Sequence, residues 1–314
     1  MNETTTDAES LSLPAHDGAA IDVRIWKPAG AEPQATIQIL HGLGEHADRY
    51  ARFAASANER GYAVVAHNHR GHGPNAARPG SFGVQDGWAL LEADALTVRE
   101  EIDRRFPDQP VILLGHSMGS FLAQFYAMHY GGRLRGLILS GSGWGARLPL
   151  FLGRALAWFT ALRIGRTKPS PMLDKLGFHR LNQRFEPART PFDWLSRDEH
   201  EVDRYIADPL CGGPNTSGLW VDFLGGMLTV CSDSGIHRIP GDLPILITGG
   251  SDDPVGGEDG MGKLMMHYAQ TLHSRLTLKL YPEGRHEMLN EINRDEVTRD
   301  WLDWVDRTVG RKST

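Results

Sequence analysis

The sequence predicts an α/β fold with a mostly parallel central sheet flanked by helices, and two patterns carry that expectation. Near-continuous apolar runs, ATIQIL (35–40), YAVVAH (62–67), VILLGH (111–116) and LRGLILS (134–140), read as strands covered on both faces. Between them lie helical stretches: RYARFAASANERG (49–61) closes at Gly61, and WALLEADALTVREEIDRRFP (88–107) stops at Pro107. Strand–helix–strand alternation implies right-handed crossovers, and therefore parallel neighbours.

Taken in order, the chain starts its regular structure with IDVRIW (21–26), whose period-two alternation suits a half-buried strand. The rhythm breaks after Ser142. Residues 143 to about 240 hold helical patterns and loops without a convincing strand. There Ser170 with Pro171 predicts a cap and first turn, and Ser196 with Glu199 predicts a capping box opening a helix through Ile206. The α/β pattern then resumes with LPILITGG (243–250), a helix near 261–272, RLTLKLY (275–281) and a last helix from about 290 to 309. In that last helix Val297, Trp301, Trp304, Val305 and Val309 share one face, which reads as core. The resulting division is a first core half (10–142), a helical cap or lid (143–240) inserted after about the sixth strand, and a second core half (243–310).

Composition narrows the function classes. With 40% hydrophobic and 23% charged residues, the 314-residue chain has the make-up of a globular protein large enough for one α/β domain or two modest ones. A formal net charge of -6 argues against a nucleic-acid partner. Cys211 and Cys231 are too few for a disulfide framework and read as reduced, semi-buried thiols. The opening MNETTTDAES lacks the basic and apolar regions of an ordinary signal peptide, and no apolar run reaches membrane-spanning length. A cytoplasmic protein is expected.

The chemistry is concentrated where strands end. VILLG runs into HSMGS and then the helical FLAQFYAMHY, which sets G-x-S-x-G (Gly115, Ser117, Gly119) at a strand-to-helix turn. So sharp a turn needs glycine on both sides and lifts the serine hydroxyl above the sheet edge. A serine nucleophile needs a base, and the base needs an orienting acid, in the chain order Ser, Asp or Glu, His. LPILITGG is followed by SDDPVGG and RLTLKLY by PEGRHEMLNE, which points to Asp253 as acid and His286 as base. The oxyanion hole is expected from the amides of Met118, directly after the serine, and Leu43, in the glycine-flanked loop HGLGEHADRY after an early strand. His116 reads as a packed neighbour of the nucleophile, His41 as a backbone hydrogen-bonding group, and Glu287 as a solvated or capping residue.

A metal mechanism has to be weighed against this one. VVAHNHRGHG (64–73) carries His67, His69 and His72 in H-x-H-x-x-H, close to the zinc-binding run of metallo-β-lactamase-like hydrolases. The position where such an enzyme needs a ligand aspartate is Gly71, and no credible downstream ligand set follows. These histidines read as structural, and no metal or organic cofactor is implied.

HGLGEHADRY, HRGHGP, GHSMG, GSDDPV and GRHEMLNE together resemble the motif set of α/β-hydrolases related to monoglyceride lipase, bacterial lysophospholipase-like esterases and serine-aminopeptidase-like members. The resemblance covers about 10–142 and 243–310. It implies the α/β-hydrolase fold, a triad of Ser117, Asp253 and His286, and an oxyanion hole of Leu43 and Met118. Its G-x-x-D pattern before Pro254 selects Asp253 over the adjacent Asp252. It also implies that Glu45, His46 and Arg49 lie near the polar end of the pocket, and RTPFDWLSRDEHEVDRYIADPLCG (189–212) looks like the cap of the lysophospholipase-like branch. Asn68 departs from the pattern, since relatives usually carry Asp there; the turn should feel this more than the chemistry.

The segment LPLFLGRALAWFTALRIG (148–165) is apolar over a broad face that includes Leu148, Leu152, Leu156, Phe159 and Leu162. It is either a cap helix packed on the core or a lid that covers an acyl pocket with residues such as Trp158 and Phe159 and makes transient membrane or micelle contact. The expected activity is hydrolysis of a monoacyl lipid or medium-chain ester through an acyl-enzyme. A serine aminopeptidase or amidase on the same fold is the enzymatic alternative. A binding protein on a hydrolase scaffold is the non-enzymatic one, and the intact triad opposes it.

Overall fold

The computed structural model describes residues 8–310 apart from Ala31 and Leu272, so most of the polar opening segment lies outside the described residues. The chain begins with β1 (Glu9–Pro14), β2 (Ala20–Trp26), β3 (Ala35–Leu40), α1 (Ala51–Glu59), β4 (Tyr62–His67) and α2 (Gly87–Arg105). The nucleophile region follows with β5 (Val111–His116), α3 (Met118–Tyr130) and β6 (Gly136–Ser140). A helical layer comes next: α4 (Arg147–Ile164), α5 (Pro171–Asn182), α6 (Glu199–Ala207), α7 (Ser217–Val230) and α8 (Asp233–Ile236). The chain returns to the sheet with β7 (Ile245–Gly250), α9 (Gly257–Gln270), β8 (Leu276–Tyr281) and α10 (Arg294–Val309).

The eight strands form one sheet in the order β1-β2-β4-β3-β5-β6-β7-β8. β1 pairs antiparallel with β2, and β2 with β4; every other pairing is parallel. The fold is that of an α/β-hydrolase. β3 to β7 are buried along their whole length, as their apolar runs require. The pleat sends alternate residues to opposite layers. Leu113 joins Leu91, Phe121 and Tyr268 on one face, while Ile112 and Leu114 meet Phe53, Val297 and Trp301 on the other. β1 escapes a periodicity reading because ESLSLP is a short edge strand, largely exposed and half serine or acid.

The helices α4 to α8, called the cap below, occupy the chain between β6 and β7. Within it, among the described residues, extended pairing is limited to a single bridge between Pro169 and Thr216. α7 roots it by packing on α2 and α3, and α4 lies along the outside of α7. Ser170 caps α5 as expected, its hydroxyl accepting from the Leu173 N–H, with Pro171 in the first turn. The capping box proposed for α6 is a correction. Asp198 is the cap, accepting from the His200 N–H, while the Ser196 hydroxyl donates to the Asn290 carbonyl and ties cap to core. The last two helices also start away from their expected positions, α9 earlier and α10 later, the latter after a 3-10 turn at Met288–Asn290. Cys211 and Cys231 are both free thiols.

Candidate active site

Ser117 stands between β5 and α3 with φ 51° and ψ -121°, a left-handed conformation unfavourable for a residue with a side chain. Close packing enforces it. A β-carbon on Gly119 would lie 2.0 Å from the Leu40 carbonyl oxygen, and one on Gly115 would lie 2.3 Å from the Gly119 carbonyl oxygen. The strained turn is pinned by the Ser117 N–H donating to the Ser140 carbonyl (2.9 Å) and by the Ser120 hydroxyl donating to the Ser117 carbonyl (2.6 Å).

His286 and Asp253 meet from the loops after β8 and β7. The imidazole Nδ1 lies 2.9 Å from Asp253 Oδ1, and both side chains are almost fully buried. That carboxylate oxygen also accepts from the Val255 N–H, which fixes its orientation. Nε2 of His286 has no partner among the described residues, so its lone pair is free to face the cavity. Burial alone would depress the imidazole pKa; the Asp253 carboxylate outweighs it, helped by Glu287 and Glu45, and the group is held above its ordinary value. Asp252 takes no part and pairs with Arg184 at the surface.

The loop after β3 and the start of α3 bring the remaining donors. The N–H groups of Leu43 and Met118 have no acceptor among the described residues, and both residues line the same cavity as Ser117 and His286. The Leu43 loop is held from behind. The Gly42 N–H donates to Glu45 Oε1 (2.5 Å), the Gly44 N–H to His72 Nε2 (3.2 Å), and Gly212 and Tyr205 of the cap donate to the Gly44 carbonyl (both 2.9 Å).

The histidine run has a structural account. His72 accepts from Gly44 at Nε2 and has Nδ1 against the Arg70 carbonyl (3.0 Å). His41 accepts from the His69 N–H at Nε2 and has Nδ1 against the Gly42 carbonyl (2.8 Å). In each ring one nitrogen must be the donor and the other the acceptor, which is the neutral form. Burial is the main cause lowering the pKa of His41, His69 and His72, and it takes His67 down to about 4. Asn68 works in this turn too, accepting from the Ala47 N–H and donating to Asp22.

A cavity of about 1140 Å³ opens over Ser117 between core and cap. Phe121, Leu150, Phe178, Trp220, Phe223 and Met227 line its apolar part. Glu45 also lines it, but His46 and Arg49 do not: they stand behind the wall. Arg49 is bidentate to Glu287 (2.6 and 2.7 Å) and reaches Glu45 (3.1 Å), and His46 pairs with Asp208 (2.8 Å). Glu287 is therefore not solvated, and although it stands at the N-cap position of the 3-10 turn Met288–Asn290, its side chain makes no cap hydrogen bond. Burial would raise its carboxyl pKa, but Arg49 holds it well below the usual carboxylate range. Trp158 and Phe159 do not line the cavity either; both project outward from α4. α4 buries Leu150, Ala157 and Ala161 and leaves Leu148, Phe151, Leu152, Trp158, Phe159 and Leu162 exposed. The signal that pointed to the true lining was LWVDFLGGML in α7, apolar on most sides, as a helix squeezed between α4 and the core must be.

A family model described as serine aminopeptidase, S33, matches residues 31–293. The human monoglyceride lipase is 29% identical over 299 residues, covering 95% of this chain and 89% of the relative. The monoacylglycerol lipase of Mycolicibacterium smegmatis is 27% identical, covering 92% of this chain and 93% of that protein. Among solved structures, a thermostable carboxyl esterase from Bacillus coagulans in complex with glycerol superposes with a TM-score of 0.88 at 27% identity, covering 97% of this chain and 100% of the esterase.

Proposed function

The chain belongs to the family described as serine aminopeptidase, S33, within the α/β-hydrolases, and from that membership we propose that it is a serine ester hydrolase of monoacylglycerol-lipase type with Ser117, His286 and Asp253 as its triad. The observation that carries this reading is the strained Ser117 sharing one large, mainly apolar cavity with a His286 whose Nδ1 is engaged by Asp253 and whose Nε2 is free. Ser117 Oγ attacks the ester carbonyl carbon while His286 Nε2 takes its proton. The Leu43 and Met118 N–H groups receive the developing oxyanion. Collapse expels the alcohol, protonated by His286, and water then cleaves the acyl-enzyme by the same steps.

An ester suits the site better than a free-amine peptide. Recognising an ammonium group needs an uncommitted carboxylate near the nucleophile. Of the carboxylates on the cavity wall, Glu45 already accepts from Gly42, Tyr50 and Arg49, Glu287 is neutralised by Arg49, Asp174 accepts from Asn215 and Trp220, and the exposed Glu186 accepts from the Ala188 N–H. The favoured substrate class is a monoacyl ester of a small polyol, with the acyl chain among Phe121, Phe223 and Met227. The exposed apolar side of α4 supplies a surface for contact with a membrane or micelle.

A fluorophosphonate probe should label Ser117 alone, and Ser117→Ala should lower ester hydrolysis by about 10⁴-fold or more. Asp253→Asn should cost on the order of 10⁴-fold in kcat, whereas Asp252→Asn should stay near wild type, since its surface pair with Arg184 is worth at most about 1 kcal/mol. Because His286 must be neutral to accept the proton and its pKa is raised, kcat/KM should climb with pH through a midpoint above the ordinary imidazole value of about 6.5. Faster turnover of aminoacyl p-nitroanilides than of p-nitrophenyl esters would reverse the substrate reading.

A further inference from the structure

The loop that carries the Leu43 amide also carries His46, and His46 faces a cap loop in a way the ester chemistry does not use. Among the described residues, one group of three potential metal ligands converges: His46, Asp208 and Cys211, whose ligand atoms all lie within 4.8 Å of one another. None of the three lines the substrate cavity. We propose that this imidazole, carboxylate and thiol form a binding site for a borderline-soft divalent cation of the zinc class, bridging the oxyanion loop to the cap.

The donor set fits such an ion. Imidazole nitrogen, carboxylate oxygen and thiolate sulfur are the ligand types zinc selects, and together the carboxylate and thiolate neutralise its two charges. Tetrahedral bonds of about 2.0–2.3 Å place ligand atoms roughly 3.3–3.7 Å apart. The His46 Nε2 to Asp208 Oδ2 distance of 2.8 Å must open slightly and the sulfur must close in, both within the reach of side-chain rotation. The ligands are pre-oriented. Asp208 Oδ1 is held by the Leu210 N–H (2.8 Å), which turns Oδ2 towards His46, and the Cys211 N–H donates to the Asp208 carbonyl (3.0 Å).

A second observation points the same way. His46 is buried, and its other ring nitrogen, Nδ1, has no hydrogen-bond partner among the described residues. Asp48 Oδ2 stands 3.8 Å from that nitrogen. Metal-bound histidines characteristically direct their second N–H at a carboxylate, and a slight ring shift completes that arrangement. Asp208 and Cys211 are partly exposed, which leaves an entry path from solvent. Burial pushes the Cys211 thiol pKa up, Arg49 opposes that rise, and Asp208 adds to it with the negative charge that also attracts a cation. Binding must therefore displace the thiol proton and strengthen as pH rises. An occupied site ties His46, three residues from the Leu43 donor, to the segment whose Gly212 already bonds Gly44. It does not take part in the chemical step.

The test is a titration of the chelator-treated full chain with cobalt(II), followed by the thiolate-to-cobalt charge-transfer absorption. One equivalent should give the band in wild type and in Cys231→Ala, and zinc should displace it stoichiometrically. The band should vanish in Cys211→Ser, and His46→Gln and Asp208→Asn should each weaken cobalt binding at least tenfold, with far-UV circular dichroism confirming their fold. Independently of any variant, one equivalent of zinc should slow alkylation of Cys211 by iodoacetamide at least tenfold, read peptide by peptide. A wild-type chain that gives no thiolate band at saturating cobalt, a band that survives in Cys211→Ser, or alkylation of Cys211 at an unchanged rate would each overturn the site.

Discussion

The buried histidines divide into those whose protons are accounted for and one whose protons are not. His41, His69 and His72 each bond backbone groups around the oxyanion loop, but both ring nitrogens of His67 in β4 are buried without a partner. The unfolded imidazole titrates near 6.5 and the folded one near 4. Below the unfolded value the unfolded chain therefore binds more protons, so stability is fully present above about pH 6.5 and drains away as pH falls towards 4, by about 3 kcal/mol for this residue. His67→Leu should remove that part of the acid slope and leave stability at pH 7.5 equal or higher, because an unpaired polar ring is replaced by an apolar one. Denaturant unfolding at a series of pH values checks this, and an unchanged acid slope would sink it. At this scale the strand-end positions were legible. Ser117, Asp253 and His286 follow their strands at short range, and glycine spacing marks the turn at Ser117. The Arg49–Glu287 pair was not legible, because 238 residues separate its members and nothing local announces the partner.

Between elements, the cap shows what an apolar helix pattern can and cannot say. The breadth of the α4 apolar face left two readings open, and the helix divides them. Leu150, Ala157 and Ala161 pack inward, and the larger residues project outward from the molecule. A single-sequence pattern reports that a face is apolar, not which neighbour covers it. α7, apolar on most sides, is the helix that takes the interior position, with Phe223 and Met227 on the cavity. Six large side chains on α4 alone, from Leu148 to Leu162, are exposed over roughly half their area or more, so full removal from water would gain each roughly half of the about 1.5–3 kcal/mol that complete burial is worth. Phe151→Ser with Phe159→Ser should therefore lower binding to phospholipid vesicles at least tenfold. Hydrolysis of a soluble short-chain p-nitrophenyl ester should stay within about twofold, because neither residue touches the cavity. Loss of the short-ester activity, with vesicle binding intact, would mean that α4 works as part of the pocket instead.

For the whole molecule, the run of helices between β6 and β7 could be read from the interruption of the α/β rhythm after Ser142, but the volume beneath those helices could not, because it depends on how far they stand off the sheet. That gap sets substrate range. A methylene moved from water to the apolar wall contributes about 0.8 kcal/mol, or roughly fourfold in kcat/KM, for as long as the carbonyl stays in register with Ser117 and the oxyanion donors. The gain must end where the chain outgrows the space bounded by Phe121, Phe223, Leu224 and Met227. A series of monoacyl esters should therefore rise from acetate to a maximum at medium length and then decline, and triacylglycerols should be turned over more slowly than monoacyl esters. Leu224→Trp, which adds bulk to the α7 wall of the cavity, should move the maximum to a shorter chain while sparing the acetate ester. Thermal unfolding of the variant would show the about 1–3 kcal/mol that overpacking costs, separating lost fold from lost length selectivity. A kcat/KM that fell steadily from acetate upward, in a protein of unchanged stability, would mean that the cap closes onto the core and that the cavity does not receive the acyl chain.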